Sequence, residues 1–346
     1  MKNRELLYEL LKTPSPSGYE LNIQKKVIEL MKPYSEKVIT HHNYNVINVV
    51  NPESKVKVLL CGHIDEVGLC INAINSDGTC KVERIGAVRP YVYIGQHVRV
   101  IKQDGNHVPG VIGYLPNLSK GGLELSDLIL DLGTNSKEET QKLIQIGDPV
   151  IHATDYVEFP NDRLVARALD DKLGAYICLE TMRRVKELKC SNGVYAATTV
   201  GEETTGRGAK VAADIVNPTM SIVVDVTFAT DINYRDTPRG DVVLGKGPVI
   251  TVGSTMNDKI HQLVLESLER LNLNYQIEVA PASTYTDVDS IYYRHNGTPT
   301  YLLNIPLRYM HSPVEMCDMK DIEDIINLMV DVILHVDENT NFDPFK

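Results

Sequence analysis

Two glutamates stand side by side in "VGEETTGRGAK": Glu202 and Glu203 follow an apolar run and precede a helical one. Adjacent carboxylates at a strand end repel each other, so a cation is expected close by. Four other segments carry groups that could share it. "CGHIDEVGL" offers His63 and Asp65, "ARALDDKLGAY" offers Asp170 and Asp171, "SIVVDV" offers Asp225, and "IPLRYMHSP" offers His311. Two imidazoles and several carboxylates, with no cysteine among them, form a hard-to-borderline donor set suited to Zn, Co or Mn. Four or more carboxylates gathered without cations would raise one another's pKa values at a cost in stability, and metal binding removes that conflict.

Two ions fit this set better than one. A two-metal site holds its ions roughly 3.5–4 Å apart and needs a bridging ligand. A short, rigid aspartate suits that role, and Asp170 is the candidate. Each ion then needs one imidazole and one terminal carboxylate, which His63 and Asp225, and Glu203 and His311, can supply. Glu202 is left over, and a spare carboxylate beside a metal site is the expected general base. Asp65, two residues after His63, is expected to orient that imidazole. Asp171 reads as a helix-capping residue.

These groups need a scaffold that brings them together. The N-terminal amphipathic helix stops at "TPSPSG", a Pro/Ser/Gly breaker, and a second helix is expected over about 19–31. Strands follow in "KVITHHNYNVINVV" and "KVKVLLCGHID". From about 69 to 160 the segments are short, β-rich and punctuated by turns, with one short helix at "SKEETQKLIQIG" capped by Ser136. Strands then alternate with helices to the end of the chain. That pattern predicts an α/β fold, a mainly parallel sheet with helices on both faces. The stretch from His63 to Asp170 is far too long for an ordinary crossover. The expected organisation is therefore a discontinuous catalytic α/β domain, 1–68 and 161–346, interrupted by a small β domain over 69–160. In open α/β sheets ligands bind beyond the carboxyl ends of the strands, and the candidate residues stand at such ends.

Composition narrows the partners. The 346 residues carry a formal net charge of −11, which argues against nucleic acid or an anionic membrane as a partner. No run reaches the roughly 18 apolar residues of a transmembrane helix, and the N-terminus lacks a secretory signal pattern. The six cysteines form no C-x-x-C pair and read as buried, reduced thiols. A cytoplasmic protein is expected. There is no G-x-x-x-x-G-K-[ST] phosphate loop, no G-x-S-x-G elbow and no H-E-x-x-H, which argues against nucleotide binding, a serine hydrolase and a zincin. The other eight histidines lack a comparable carboxylate context.

"GHIDEVGL", "ALDDKLGA", "GEETTGRGA", "VVDV" and "IPLRYMHSP" together resemble the motif series of the cocatalytic-metal aminopeptidases that build tetrahedral (TET) dodecamers. That family includes glutamyl and deblocking aminopeptidases, some once labelled endoglucanases. The resemblance spans essentially the whole chain in motif order. It implies a phosphorylase/aminopeptidase-like fold with an inserted PDZ-like dimerisation domain. It also implies two divalent ions, Zn first and Co or Mn as alternatives, on His63, Asp170 (bridging), Glu203, Asp225 and His311, with Glu202 as base. Peptides would be the substrates, and a homo-oligomer built from dimers, up to a dodecamer, the assembly. Three departures stand out. "EETTGRGA" replaces the frequent "EEVGLRGA". "YTDVDS" replaces "GTDA", retaining Asp287, a candidate for holding the substrate amine, and adding Asp289. Asn117 in "LPNLS" replaces a frequent His. Rival readings are a related two-metal deacylase or carboxypeptidase and a non-catalytic self-assembling scaffold. An endoglucanase would use a carboxylate pair without metals.

Overall fold

The computed structural model describes residues 4–114, 123–232 and 240–346. Its centre is an eight-stranded sheet. From edge to edge the order is Lys37–Thr40, Val46–Val50, Gly193–Thr199, Lys57–His63, Met220–Phe228, Thr300–Leu307, Val249–Gly253 and Gln276–Ala280. The four middle strands are mutually parallel. The first two strands form an antiparallel hairpin that joins Gly193–Thr199 antiparallel, and Val249–Gly253 also runs antiparallel to Thr300–Leu307. The sheet is thus mixed, with the expected parallel order confined mainly to its centre.

Strand alternation sends side chains to two cores. In "KVLLCGH", Val58 and Leu60 join the larger core with helices Arg4–Lys12, Leu21–Met31, Leu169–Glu187, Asp258–Arg270 and Met319–Leu334. Leu59 and Cys61 face the other way, onto helices Arg207–Val216 and Val288–Ile291. A strand buried on both faces reads as a continuous apolar run, which is why "VLLC" shows no alternation. Cys61 is a core residue, and all six cysteines are unpaired. Among the described residues no helix is long and apolar enough to cross a membrane.

The long segment after His63 forms a closed six-stranded barrel. Its strands are Gly68–Ile74, Cys80–Ile85, Leu128–Asp131, His107–Tyr114, His97–Ile101 and Pro149–His152, in that order around the barrel. The barrel has its own core, including Leu69, Ile71, Val98, Val100, Ile112, Leu130 and Val150. Its one α-helix among the described residues, Lys137–Gln141, is shorter than the sequence suggests, but Ser136 does cap it, accepting the Glu139 amide at 3.2 Å. Asn117 lies outside the described residues.

Candidate active site

Two glycines make room where a helix crosses a strand and the site forms. A Cβ on Gly62 would stand 2.2 Å from the carbonyl carbon of Gly174, and one on Gly174 would stand 2.2 Å from Asp171 Oδ2. Without a side chain at Gly62, helix Leu169–Glu187 passes directly over the end of strand Lys57–His63, and without one at Gly174 the Asp171 carboxylate folds back onto its own helix. Asp170 and Asp171 occupy the first turn of the helix with non-helical backbone angles and a cis peptide between them. Both aspartates face His63: Asp171 accepts its amide, and Asp170 approaches its imidazole.

The carboxyl ends of the four central strands deliver the remaining groups. His63 ends its strand, Glu202 and Glu203 follow Gly193–Thr199, Asp225 lies within Met220–Phe228, and His311 follows Thr300–Leu307. Two ligand clusters result: His63 with Asp170 and Asp225, and His311 with Asp170 and Glu203. Within each, the donor atoms lie within 4.8 Å of one another. Asp170 belongs to both. Its Oδ1 is 3.1 Å from Nε2 of His63, and its Oδ2 is 3.1 Å from Nε2 of His311. Glu203 Oε1 lies 3.4 Å from the same His311 nitrogen, and Glu202 Oε2 lies 3.9 Å from His63 Nε2. All six sequence candidates are brought together.

The supporting residues were only partly anticipated. Asp65 does approach His63, but it is the Asp65 backbone carbonyl that lies closest to Nδ1, at 3.1 Å, with the carboxylate at 3.5 Å. The fully buried Asp65 carboxylate instead accepts the amides of Glu202 and Glu203, at 3.1 and 3.3 Å, and the Ser17 hydroxyl. It anchors the turn that carries both glutamates. Asp171 caps its own helix through the Gly174 amide at 2.9 Å and also accepts the His63 amide at 3.2 Å. Glu315, which sequence reasoning missed, is buried and accepts the amides of His311 at 2.7 Å and Asp170 at 3.2 Å. Its only sequence signal is its place four residues after His311. Also missed was the carbonyl of Ala87, in the barrel, 3.2 Å from Nδ1 of His311.

The M42 glutamyl aminopeptidase model matches residues 45–328. The chain belongs to that family. It is 33% identical over 339 residues to a lysyl aminopeptidase of Pyrococcus furiosus, covering 95% of this chain and 96% of that one. Among solved structures it superposes with a TM-score of 0.91 on a TET aminopeptidase from a marine sediment thaumarchaeote, at 28% identity and covering 98% and 99% of the two chains. The TM-score is 0.84 against a Pyrococcus horikoshii TET1 peptidase, at 27% identity and 96% and 99% coverage; that peptidase is described as assembling into a tetrahedron or a large octahedral shell.

M42 peptidases are metal-dependent, and the electrostatics of this chain fit that chemistry. Burial pushes the Asp225 carboxyl well above the ordinary carboxylate range, and Asp170 adds to the effect. Burial likewise pushes Glu202 up to about 10, with Asp225, Asp287 and Glu203 reinforcing it against the pull of His63. Asp170 runs the other way. Burial favours its neutral form, but hydrogen bonds from His311 and His63 outweigh that and hold it low. Burial disfavours charge on His311, yet Asp170 and Glu203 push it up to about 12. Glu203 Oε1 is buried and has no hydrogen-bond partner of good geometry. Carboxylates this crowded, with one oxygen orphaned, are suited to divalent cations, which would restore their ionised forms.

A pocket of about 640 Å³ opens from the clusters. Asp170, Glu202, Glu203, Asp225 and His311 line its acidic end, and Phe228, Tyr285 and Met310 contribute apolar wall. Asp287 is not on that wall. It is buried beneath it, where it accepts the Thr199 hydroxyl, and its neighbours Thr284, Tyr285 and Thr286 face the pocket instead. Asp289 organises this loop by accepting the Thr284 and Tyr285 amides at 3.0 Å each and the Thr284 hydroxyl at 2.9 Å. Thr204 and Thr205 form part of the short helix Glu202–Thr205, which ends at Gly206 (φ 60°) against Ser290.

Proposed function

We propose that this chain removes the N-terminal residue from peptides. Two divalent ions would be held by His63, Asp170, Glu203, Asp225 and His311, and Glu202 would act as general base. The observation that supports this most is Asp170, which turns one carboxylate oxygen toward each histidine and belongs to both ligand clusters. Zinc is the first choice for this donor set, and cobalt or manganese also suits it.

When bound, the ions would polarise the scissile carbonyl and lower the pKa of an attacking water. Glu202 takes the water proton as the carbon–oxygen bond forms and delivers it to the peptide nitrogen as the carbon–nitrogen bond breaks. Asp65 holds the Glu202 backbone, so the carboxylate keeps its aim into the pocket. The match to the glutamyl aminopeptidase family and the likeness to a lysyl aminopeptidase favour an aminopeptidase over a carboxypeptidase.

The organisation we propose is a catalytic α/β domain interrupted by the barrel, with the barrel serving as a PDZ-like dimerisation unit. Self-assembly from dimers toward a tetrahedral dodecamer is supported by the likeness to the TET peptidases. Six unpaired thiols favour a cytoplasmic location.

The test is a panel of aminoacyl-p-nitroanilides and their N-acetylated counterparts, assayed after chelation and after adding back Zn, Co or Mn. Metal-dependent cleavage confined to free-amine substrates is expected, and the panel reads out the preferred first residue. Equal cleavage of blocked substrates would favour a deacylase, and cleavage insensitive to chelation would refute the metal mechanism.

A further inference from the structure

The two histidines use the same device and borrow it from different places. His63 Nδ1 lies 3.1 Å from the carbonyl of Asp65, in its own loop. His311 Nδ1 lies 3.2 Å from the carbonyl of Ala87, which is 224 residues away and belongs to the inserted barrel. A carbonyl can only accept, so in each ring Nδ1 carries the proton and Nε2 is left for a metal. The turn that presents Ala87 also touches the other terminal ligand of that cluster. Gly86 has φ +77°, and a Cβ there would stand 3.3 Å from the Glu203 carbonyl oxygen, 3.4 Å from Glu203 Cβ and 2.9 Å from Val67 Cγ1. Ala87 itself lines the pocket. One barrel turn therefore contacts both His311 and Glu203.

We infer that the Gly86–Ala87 turn of the inserted barrel is a positioning element for one metal cluster: it sets the tautomer of His311 and seats Glu203, so that occupancy of the Asp170–Glu203–His311 cluster depends on the barrel while the His63 cluster does not. The barrel is then part of the catalytic centre and not only a candidate assembly unit. Barrel seating controls the second ion. This rests on the two-ion reading above.

Gly86→Ala tests it, with Gly95→Ala as control. Gly95 is also in the inserted segment and has a similar φ of +70°, but nothing lies within 4 Å of a Cβ built there. Both variants carry similar backbone strain, and only Gly86→Ala meets neighbours, Val67 Cγ1 first and then the Glu203 carbonyl oxygen. Zinc content and calorimetric affinity are measured on the full-length proteins. Wild type and Gly95→Ala should bind two ions per chain. Gly86→Ala should bind one as before and the other roughly 10–100-fold more weakly, the usual effect of disturbing a ligand's support. Two ions bound equally well by a folded Gly86→Ala would overturn the inference and leave the two-ion reading intact. Fewer than two ions on the wild type would overturn both. If Gly86→Ala does not fold, solid-state ¹⁵N spectra of histidine-labelled, zinc-loaded wild type decide, with His311 assigned through His311→Gln. Protonated Nδ1 on His311 is expected, and a bare Nδ1 would refute the role of Ala87.

Discussion

Glu202 Oε2 stands 3.9 Å from Nε2 of His63, too far for a hydrogen bond and close enough to reach anything bound between them. Glu202 lines the pocket and belongs to neither three-residue ligand cluster. That position suits a group that moves protons. Glu202→Gln should therefore keep both metals and lose roughly 10²–10⁴-fold in kcat, the scale of a lost general base. Metal analysis alongside steady-state kinetics checks this. Near-normal turnover, or loss of an ion, would assign Glu202 a different role.

Asp65 should matter through the backbone it anchors. Its carboxylate accepts from Glu202, Glu203 and Ser17. Asp65→Asn introduces an NH₂ group that must face at least one of these donors, so the Glu202 turn shifts. We expect kcat to fall at least about tenfold, because small displacements of a reacting group are costly, with substrate KM changed little. A variant whose KM rises while kcat holds would show that Asp65 serves substrate binding instead.

Beneath the junction of barrel and sheet lies a buried charge network. Glu66 pairs with Arg167 and, at 2.9 Å, with Lys172, all three being nearly inaccessible to water. Burial would raise the Glu66 pKa, but the two cations outweigh it and bring it to about 2. Glu66→Gln leaves two cations facing a neutral group. Removing one partner of a buried ion pair typically costs about 3–5 kcal/mol, and urea unfolding should show a loss of that order. A change below about 1 kcal/mol would mean that water reaches this network.

His152 gives the fold a pH dependence. It is buried, stacked on Tyr93 at 3.9 Å, and neither ring nitrogen has a hydrogen-bond partner. Burial, helped by Arg167, lowers its pKa from 6.5 to about 3. The unfolded chain takes up this proton below about pH 6.5 and the folded one does not. Stability from this group is therefore complete above pH 6.5 and declines as pH falls toward 3, by up to about 1.4 kcal/mol per pH unit. His152→Phe preserves the stack and removes the proton. The stability of this variant relative to wild type should increase as the pH is lowered from 6.5, and a difference independent of pH would contradict the assignment.

What was legible in the sequence depended on locality. His63, Glu202, Glu203 and Asp225 sit at or just after apolar runs that could only be buried strands, and the parallel order of those strands carries their ends to one edge. His311 follows the apolar run "YLLNIPL" after a short loop, and Asp170 was legible as a short, rigid aspartate in "ALDDKLGA" suited to bridging two ions. The sheet edges were less so, since nothing in "GPVITV" distinguishes a strand antiparallel to its neighbour from a parallel one. "TPSPSG" reads as a helix breaker and no more, yet Ser15 and Ser17 bond to Glu66 and Asp65. Glu315 and Ala87 were illegible for a related reason. Their roles depend on backbone contacts with residues brought close only by the tertiary fold, and one of those contacts is made by a carbonyl that any residue type could supply.

Asp170 is proposed to stand between two ions. Anomalous diffraction from crystals reconstituted with zinc tests it most directly. Two peaks roughly 3.5–4 Å apart are expected, one beside His63 and Asp225, the other beside Glu203 and His311, each in contact with one oxygen of Asp170. A single fully occupied peak, or two peaks that do not share Asp170, would contradict it.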